Sequence, residues 1–415
     1  MSDADSLKVP FTKPSISQEE EQCVLEVMRS GWLTTGKYAL QFENDFSHFM
    51  NKDESGKIRQ NREKEGLSSA PVISLAVNSN TSGMILAMEA CGVAPGTAVI
   101  TTPYTFVSTA ACARHLGADV FFADIEKNSY SIDVLAVEAL LKKDAASSKP
   151  RIKAIVPVHI AGNVCNMQKL CALAKQYNVK VIEDSAHAFP SKTQLGYAGT
   201  IGDIGVFSFY VTKTITTAEG GMVCTRDQEL AKRMTVMRMH GMDRTTWDRY
   251  TSPRASWEYD IVAPGYKFNL PDVLAAIGCC QLKRAESFFE KRSKIVQKYN
   301  SAFSTLDFVQ LPPDGEGNSW HLYLLRIVPE KLKIGRDDFA KALQKKGIGI
   351  SVHFIPLFHF TYWKSLYPDF TALNFPNTES AWSRTVSIPL WPDMTDEMAE
   401  EVINAVIAIG KEYHA

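Results

Sequence analysis

The 415-residue sequence has no long hydrophobic run and no strong excess of charge of either sign. No stretch approaches the roughly 18 uninterrupted apolar residues of a membrane span, and the N-terminus, MSDADSLKVPF, lacks the basic and apolar regions of a signal peptide. Because 45 basic residues accompany 46 acidic ones, the overall charge does not favour binding to nucleic acid or to a membrane surface. We therefore expect a cytoplasmic protein whose charged binding sites are local.

The sequence also lacks a regular cysteine pattern. Its eight cysteines are scattered, mostly within apolar stretches, and form no CxxC pair. This spacing predicts free thiols in a reducing compartment rather than a disulfide framework. His321 and His353 are far apart in sequence, and no cluster of cysteine, histidine and aspartate at ligand spacing accompanies them. We therefore expect no metal site.

Between Val72 and Val223, short strand-like runs alternate with helical stretches. The runs are VISLAV, AVITT, DVFFAD, KAIVPVHI, VKVIED, GVFSF and GMVCT. This alternation predicts an α/β fold with a mostly parallel central sheet that is sandwiched by helices. Ligands bind such sheets at the carboxyl ends of the strands, so the residues that follow each run are the candidates for function.

Two domains are expected, a large α/β domain over residues 1–262 and a smaller α+β domain over residues 263–415. A long helical pattern from Pro271 to about Phe303 links them and leads to the strand-like run WHLYLLRIV and the helical run DDFAKALQKKG. Within the large domain, residues 51–69 are polar, highly charged and without apolar periodicity. That segment predicts a solvated insertion or mobile loop with no catalytic role.

The run VKVIEDSAH places Asp184 at the end of an apolar strand and His187 three residues later. Burying a carboxylate there is costly unless it meets a cation, and a protonated pyridine nitrogen would be such a partner. For this fragment alone, the simpler interpretation is that Asp184 caps the next helix and His187 makes a hydrogen bond in the core.

Lys213 lies in a turn rich in threonine and glycine, between the strand-like runs GVFSF and GMVCT. A lysine forms a Schiff base with an aldehyde only when it is deprotonated, and burial lowers its pKa enough to allow this. A pyridoxal site also needs a carboxylate for the ring nitrogen, for which Asp184 is the candidate. A lysine in a polar turn is a weak signal by itself, but the combination predicts a pyridoxal phosphate site.

Seven segments of the chain carry a wider pattern. They are SGWLTTG (30–36), TTPYTFVSTA (101–110), IEDSAHA (182–188), GDIGVFSFYVTKTITTAEGGMV (202–223), RMHGMDR (238–244), PGYKFNLPDVLAAIG (264–278) and SVHFIPL (351–357). In this order they resemble the DegT/DnrJ/EryC1/StrS family of sugar aminotransferases, over nearly the whole chain. The resemblance implies the fold of the fold-type I pyridoxal phosphate enzymes.

By this resemblance, Lys213 forms the Schiff base with pyridoxal phosphate and Asp184 keeps the pyridine nitrogen protonated. His187 would lie near the phenolic oxygen of the cofactor, where relatives often have glutamine. Phe106 matches the aromatic residue that stacks on the pyridine ring, although an aromatic near a helix start is otherwise more often part of the core.

The resemblance also implies that two hydroxyl groups and the start of one helix bind the cofactor phosphate. Asn80 and Thr81 follow the run VISLAV and open a helix, so their N–H groups, the Thr81 hydroxyl and the helix dipole favour an anion, although a plain helix cap would look the same. Relatives usually have Gly-Thr at this pair, and Ser208 matches a second phosphate-binding hydroxyl. Lys267 stands where many relatives have an asparagine that reaches the phosphate from the neighbouring subunit, which implies a homodimer with shared active sites.

Two further segments resemble the substrate side of the family's active site. The loop SGWLTTG offers Trp32, Leu33 and Thr34, of which the first two give a flat apolar surface. The segment RMHGMDR offers His240 and Arg244 as charges for a diphosphate.

The resemblance implies transamination from L-glutamate to a nucleotide-linked keto sugar, with a UDP- or dTDP-4-keto-6-deoxyhexose favoured. The amino sugar would serve a surface polysaccharide, a glycan or a natural product. Two alternatives stay open, a pyridoxamine-dependent sugar dehydratase and a non-catalytic regulatory relative. Lys213 argues against the first, because those dehydratases have histidine there. The joint presence of Lys213, Asp184, Ser208 and Thr81 argues against the second.

Overall fold

A computed structural model describes residues 7–53, 55–243 and 258–415 of the chain. The helices are α1 (Gln18–Ser30), α2 (Lys37–Met50), α3 (Lys57–Lys64), α4 (Asn80–Ala90), α5 (Val107–His115), α6 (Val134–Ala145), α7 (Met167–Tyr177), α8 (Gln228–Met237), α9 (Asp272–Lys283), α10 (Ala285–Phe303), α11 (Arg336–Lys345), α12 (Thr361–Leu366), α13 (Pro376–Trp382) and α14 (Asp396–Glu412). The strands are β1 (Ile73–Val77), β2 (Ala98–Thr101), β3 (Asp119–Phe122), β4 (Ile152–Ile155), β5 (Lys180–Asp184), β6 (Lys192–Thr193), β7 (Gly196–Tyr197), β8 (Ile204–Ser208), β9 (Gly221–Thr225), β10 (Val309–Gln310), β11 (Tyr323–Ile327) and β12 (Thr385–Ile388).

The central sheet has seven strands in the order β1-β9-β8-β5-β4-β2-β3. The neighbours from β8 to β3 pair in parallel, whereas β9 is antiparallel to both β1 and β8. All seven strands overlap the apolar runs of the sequence, although β4 ends at Ile155, in the first half of the run KAIVPVHI. A strand covered by helices on both faces must be apolar along most of its length. The predicted α/β class with a mostly parallel sheet is confirmed.

The C-terminal part of the chain has its own antiparallel sheet, in the order β10-β11-β12. Its core is formed by aromatic and aliphatic side chains of this sheet and of α10, α11 and α14, including Tyr299, Tyr323, Phe339 and Val406. Residues 348–351 form isolated bridges at Ile348 and at Ser351, and Ser351 pairs with Ser387 of β12. The domain boundary between residues 262 and 263 stays a prediction.

The expected long helix from Pro271 to Phe303 is wrong, because the chain forms two helices, α9 and α10, that meet at Arg284. The Arg284 side chain turns towards the N-terminal part of the chain, where it binds Glu20 Oε1 at 2.9 Å and Ser15 Oγ at 2.8 Å. Neither glycine nor proline marks this break, so the sequence pattern contains no signal for it.

Residues 51–69 are not a plain solvated loop, since they contain α3. Arg62 on this helix is buried, and it donates to the carbonyl oxygens of Ser68 (2.6 Å), Leu195 (3.0 Å) and Thr200 (3.0 Å). Periodicity missed the helix because a buried guanidinium, rather than an apolar face, attaches it to the protein.

The direction of the strands brings several loops to one edge of the sheet. Since β9 is antiparallel to both of its neighbours, β1 runs in the same direction as β8 and β5, and all three end at the same edge. The start of α4 follows β1 and packs closely on β9, where a Cβ on Gly221 would lie 2.8 Å from Asn80 N. Among the described helices, none is long and apolar enough to cross a membrane.

Candidate active site

A cavity of about 480 Å³ lies at the carboxyl ends of β1, β5 and β8. Its walls combine loops of the central sheet with residues of the C-terminal part, among them His321 and His353. Seven of the predicted site residues line it. They are Asn80, Thr81, Phe106, Asp184, His187, Ser208 and Lys213.

Asp184 lies at the end of β5 and is 4% exposed. Its Oδ2 accepts a hydrogen bond from Thr109 Oγ1 at 2.7 Å, and its Oδ1 accepts from Ala186 N at 3.2 Å. The Asn80 amide lies 3.5 Å from Oδ1 and donates mainly to the Val206 carbonyl at 3.0 Å. A carboxylate has room for about four hydrogen bonds, so Asp184 can still accept one from a group in the cavity.

Lys213 follows β8 in a tight turn, in which its N–H donates to the Tyr210 carbonyl at 2.9 Å. Burial lowers the pKa of its amine to about 8, and the negative charge of Asp184 opposes this shift. The amine makes no hydrogen bond to any side chain in the part of the chain that the structure describes. The cavity therefore holds a lysine amine that is partly deprotonated near neutral pH, opposite a carboxylate.

His187 is held as a neutral ring. Its Nδ1 accepts a hydrogen bond from Ala161 N at 3.3 Å, so the ring proton is on Nε2. Burial lowers the pKa of His187 well below its ordinary value, and the charge of Lys213 lowers it further. Phe354 stacks on the ring with centroids 5.5 Å apart. His187 can therefore donate one hydrogen bond from Nε2 without adding a positive charge.

The start of α4 is arranged to bind an anion. Ser79 caps the helix, its Oγ accepting from Ser82 N at 3.1 Å and its carbonyl accepting from Gly83 N at 3.1 Å. The N–H groups of Asn80 and Thr81 have no partner within the helix, as expected for the first helical turn. They lie in the cavity wall, as does Ser208 at the end of β8. The asparagine in place of the family's glycine turns its side chain inward to Val206, so it leaves the helix start open.

Phe106 is 58% exposed, which is unusual for an aromatic residue in the wall of a cavity. It precedes α5, and its ring lies 6.0 Å from that of Phe354. An apolar ring left open to a cavity offers a flat surface to a planar ligand.

The remaining predicted residues lie outside the cavity of the single chain. Lys267 is exposed and donates to Asn269 Oδ1 at 2.5 Å, and Asn269 donates to Thr35 Oγ1 at 2.6 Å. His240 is also exposed, with its N–H bound to the Tyr266 carbonyl at 2.7 Å.

The loop that contains Trp32, Leu33 and Thr34 packs beside the same group of residues. The Thr34 carbonyl accepts from Asp272 N at 3.3 Å, and Leu33 is 43% exposed. These residues, together with Lys267 and His240, form what we call the outer surface. Arg244, the last predicted substrate residue, lies outside the described residues.

Sequence reasoning missed one residue behind the cavity wall, Thr109, and two histidines that line the cavity, His321 and His353. The Thr109 hydroxyl donates a hydrogen bond to Asp184. The sequence contained a signal for it, because Thr105 and Thr109 are four residues apart. In the structure their Oγ1 atoms lie 2.9 Å from each other. His321 and His353 were considered only as metal ligands, whereas the structure places both beside His187. Burial lowers the pKa of His353 to about 4, and the nearby Lys213 adds to this. Among the described residues, no cluster of three candidate metal ligands occurs.

A sequence model of the DegT/DnrJ/EryC1/StrS aminotransferase family matches residues 14–56 and 71–407. The chain belongs to this family. The spore coat polysaccharide biosynthesis protein SpsC of Bacillus subtilis is 38% identical over 97% of both chains. In structure, Spr1654 of Streptococcus pneumoniae, assigned as a sugar aminotransferase and known in PMP and PLP forms, aligns with a TM-score of 0.84 for the PMP form. That alignment has 28% identity over 98% of this chain and 100% of the other.

Helicobacter pylori PseC, an aminotransferase involved in the biosynthesis of pseudoaminic acid, is also similar. It aligns with a TM-score of 0.83 and 27% identity over 98% of this chain and 100% of its own. As a member of the DegT/DnrJ/EryC1/StrS family, the protein is a pyridoxal-phosphate-dependent transaminase. The cavity fits this cofactor, since it offers an amine of lowered pKa, a carboxylate with a free acceptor site and unpaired N–H groups at a helix start.

Proposed function

We propose that this transaminase transfers the amino group of L-glutamate to a keto sugar linked to a nucleotide. The favoured acceptor is a UDP- or dTDP-4-keto-6-deoxyhexose, and the product serves a surface polysaccharide, a glycan or a natural product. The observation that carries this proposal is the presence of the Lys213 amine and the Asp184 carboxylate in one cavity. The sugar acceptor is supported by SpsC, which is named for spore coat polysaccharide biosynthesis, and by Spr1654, which is assigned as a sugar aminotransferase.

Pyridoxal phosphate, when bound, supplies an aldehyde for an amine and a pyridine ring that withdraws electrons while protonated. Asp184 would hold the proton on the ring nitrogen, because its carboxylate is fixed by Thr109 and by Ala186 N and keeps one acceptor site free. His187 would donate from Nε2 to the phenolic oxygen without bringing a competing charge.

Binding of the phosphate would use the helix dipole of α4. The N–H groups of Asn80 and Thr81 point out of the first helical turn, and the hydroxyls of Thr81 and Ser208 lie in the same wall. Phe106 would cover one face of the ring with its exposed side chain. Together these groups would hold the phosphate and the ring of the cofactor in the cavity.

Lys213 would act as both nucleophile and proton carrier. With a pKa of about 8, roughly a tenth of the Lys213 amines are uncharged at pH 7. An ordinary lysine would have roughly one in three thousand uncharged. As a free amine it would serve as the base that takes a proton from the donor carbon and returns one to the sugar carbon.

The outer surface is proposed to complete the active site of a second copy in a homodimer. Lys267, His240, Leu33 and Thr34 are exposed, and hydrogen bonds connect the segments that carry them, yet these residues do not line the cavity of their own chain. Contacts in a twofold dimer are reciprocal, so the outer surface of each copy would lie against the cavity of the other and bring Lys267 to the partner's phosphate site.

The reaction is tested by the visible absorbance of the purified protein and by mass spectrometry. We expect a pyridoxal absorbance that disappears with L-glutamate, and an amino sugar when UDP- or dTDP-4-keto-6-deoxyhexose is added. The matching 3-keto sugars serve as the control for position. A protein that loses its colour with glutamate but aminates none of these sugars would contradict the acceptor, and one that never binds pyridoxal phosphate would contradict the whole proposal.

Shared active sites are tested by mixing two variants, Lys213→Ala and Lys267→Ala, each of which we expect to lose activity alone. In a mixed dimer, the cavity of the Lys267→Ala subunit keeps its own Lys213 and receives Lys267 from the Lys213→Ala subunit. The other cavity lacks both lysines. Random exchange of subunits should therefore restore up to about a quarter of the wild-type activity. Subunit exchange is followed by mass spectrometry of the intact dimer, and exchange without any recovery would show that the sites are not shared.

A further inference from the structure

A second cavity, of about 640 Å³, lies where β5 and β8 begin, at the opposite edge of the central sheet from Asp184 and next to the end of α3. It is lined by residues of the segments 62–68, 168–181, 201–203 and 226–228, and we call it the α3 cavity. Part of its wall belongs to residues 57–70, which lie outside the match to the family.

Two arginines of the α3 cavity converge on one carbonyl oxygen. Arg62 donates to the Thr200 carbonyl at 3.0 Å through Nη1, and Arg226 donates to the same oxygen at 3.3 Å through Nε. Arg226 also binds the Ala70 carbonyl through Nη1. All the hydrogen-bond partners of both guanidinium groups among the described residues are backbone carbonyl oxygens. Two like charges are thus fixed side by side with no carboxylate in contact.

The carboxylates near the α3 cavity are already engaged elsewhere. Asp203 pairs with Lys180 at 2.8 Å, and Asp227 caps the start of α8 through Glu229 N at 2.8 Å. Glu65 is exposed and accepts from the Gln168 amide at 2.8 Å.

Glu183 is a buried carboxylate whose charge acts on Arg62 and Arg226, and the loop 199–202 binds it. Its two oxygens accept from His159 Nε2 and from three N–H groups of that loop. Its charge acts on both arginines from a distance but leaves no acceptor for them.

Burial lowers the pKa of both guanidinium groups. Burial lowers the pKa of Arg226 to about 10, and the charge of Arg62 lowers it further. Arg62 is 2% exposed, and burial lowers its pKa as well. A guanidinium presents five N–H donors, and the Nη2 group of each arginine has no acceptor among the described residues. Cations that are both buried and close together favour the binding of an anion.

We propose that the α3 cavity binds a phosphate group, free or carried by a small metabolite, through Arg62 and Arg226. Paired guanidinium forks match the oxygens of a phosphate, and their carbonyl contacts fix them in advance of binding. Lys175 stands at the same cavity as a third cation, exposed and on the last turn of α7. The volume leaves space for a metabolite attached to the phosphate.

Isothermal titration of the pyridoxal-phosphate-loaded protein with inorganic phosphate tests this site, because the cofactor then blocks the phosphate site of the catalytic cavity. We expect Arg226→Gln to weaken phosphate binding at least about tenfold, since charge-assisted hydrogen bonds are lost. Arg59→Gln is the matched control, because Arg59 lies on α3 but is 74% exposed and pairs with Glu63. That variant should bind phosphate as the wild type does.

A second variant guards against misfolding of Arg226→Gln. Lys175→Gln changes an exposed side chain and should weaken phosphate binding by a few fold while leaving the cofactor absorbance unchanged. Phosphate should also raise the midpoint of thermal unfolding in the wild type and in Arg59→Gln, and raise it less in the other two variants. Equal affinity in all four proteins, or no phosphate binding by the wild type, would overturn the proposal.

Discussion

Glu183 and Asp184 are neighbours on β5, but their carboxylates lie in opposite surroundings. Glu183 is fully buried, and three N–H groups of the loop 199–202 donate to it at 2.7–2.8 Å. His159 Nε2 lies 2.9 Å from it, and because Cys165 N donates to Nδ1 of that ring, the proton is on Nε2. Its hydrogen-bonding capacity is therefore filled entirely by the protein.

Asp184 lacks this saturation. It accepts from Thr109 at 2.7 Å, from Ala186 N at 3.2 Å and from the Asn80 amide at 3.5 Å, and it lines the cavity that holds Lys213. Successive strand residues point to opposite faces, so one step along β5 separates the two environments. A buried carboxylate whose hydrogen-bond donors all come from the protein, such as Glu183, therefore stabilises the fold. A buried carboxylate that keeps a free acceptor site, such as Asp184, is available to a ligand.

The largest effect is expected for Lys213→Ala. Removing the amine removes the nucleophile and the proton carrier together, so turnover should fall at least about a thousandfold. Turnover and visible absorbance are measured with Lys153→Ala as the control, since Lys153 is exposed on β4. A variant that retained turnover within tenfold of the wild type would contradict the role of Lys213.

The next largest effect is expected for Asp184→Asn. Asparagine still accepts from Thr109 but no longer holds a proton on a ring nitrogen, so turnover should fall by about a hundredfold or more. Because the fold does not depend on this charge, the midpoint of thermal unfolding should change little. If Asp184→Asn lost stability but kept its turnover, Asp184 would serve the fold rather than a ligand, and the comparison with Glu183 would be contradicted.

Glu183→Gln should have the opposite outcome. The glutamine amide would face N–H donors, so buried groups lose their acceptor and the free energy of unfolding should fall by about 3 kcal/mol. Burial opposes ionisation of Glu183, but the hydrogen bonds from His159 and from the loop 199–202 lower its pKa below 4.5.

A depressed carboxyl pKa means that this stability is present above the unfolded value and is lost as the pH falls through the folded value. The stability gap between wild type and Glu183→Gln, measured by urea unfolding, should therefore be full above about pH 4.5 and narrow below it. Turnover per folded molecule should stay within about threefold, because the residue does not reach the cavity. A constant gap down to pH 2 would show that ionisation of Glu183 is not its source.

Much of this comparison could be predicted from the sequence, but not all of it. Asp184 and Lys213 each follow an apolar run, and the carboxyl ends of parallel strands meet at one edge, so their proximity follows from local pattern. His321 and His353 could not be placed in the same way, because they reach the cavity from the C-terminal part, whose packing on the central sheet leaves no periodic signal.

The surroundings of Glu183 and of Arg62 were harder still to predict. VKVIED shows two acidic residues at a strand end and gives no indication that loop 199–202 binds one of them. Arg62 lies in a charged segment that reads as solvated, although its guanidinium is buried against carbonyl oxygens. Pairing of polar groups across long sequence separations depends on tertiary structure, which composition and periodicity do not encode.

The smallest effect expected is on the pH dependence of cofactor capture by the apoprotein. Only the uncharged Lys213 amine attacks the aldehyde, and its pKa is about 8, so the rate should rise about tenfold per pH unit below pH 8 and level off above it. The charge of Asp184 raises that pKa against the effect of burial, so in Asp184→Asn the plateau should begin at a lower pH. Glu183→Gln should leave the plateau where it is, since its carboxylate faces away from Lys213. Stopped-flow absorbance measures the three profiles, and identical shifts in both variants would mean that the two faces of β5 are electrostatically equivalent.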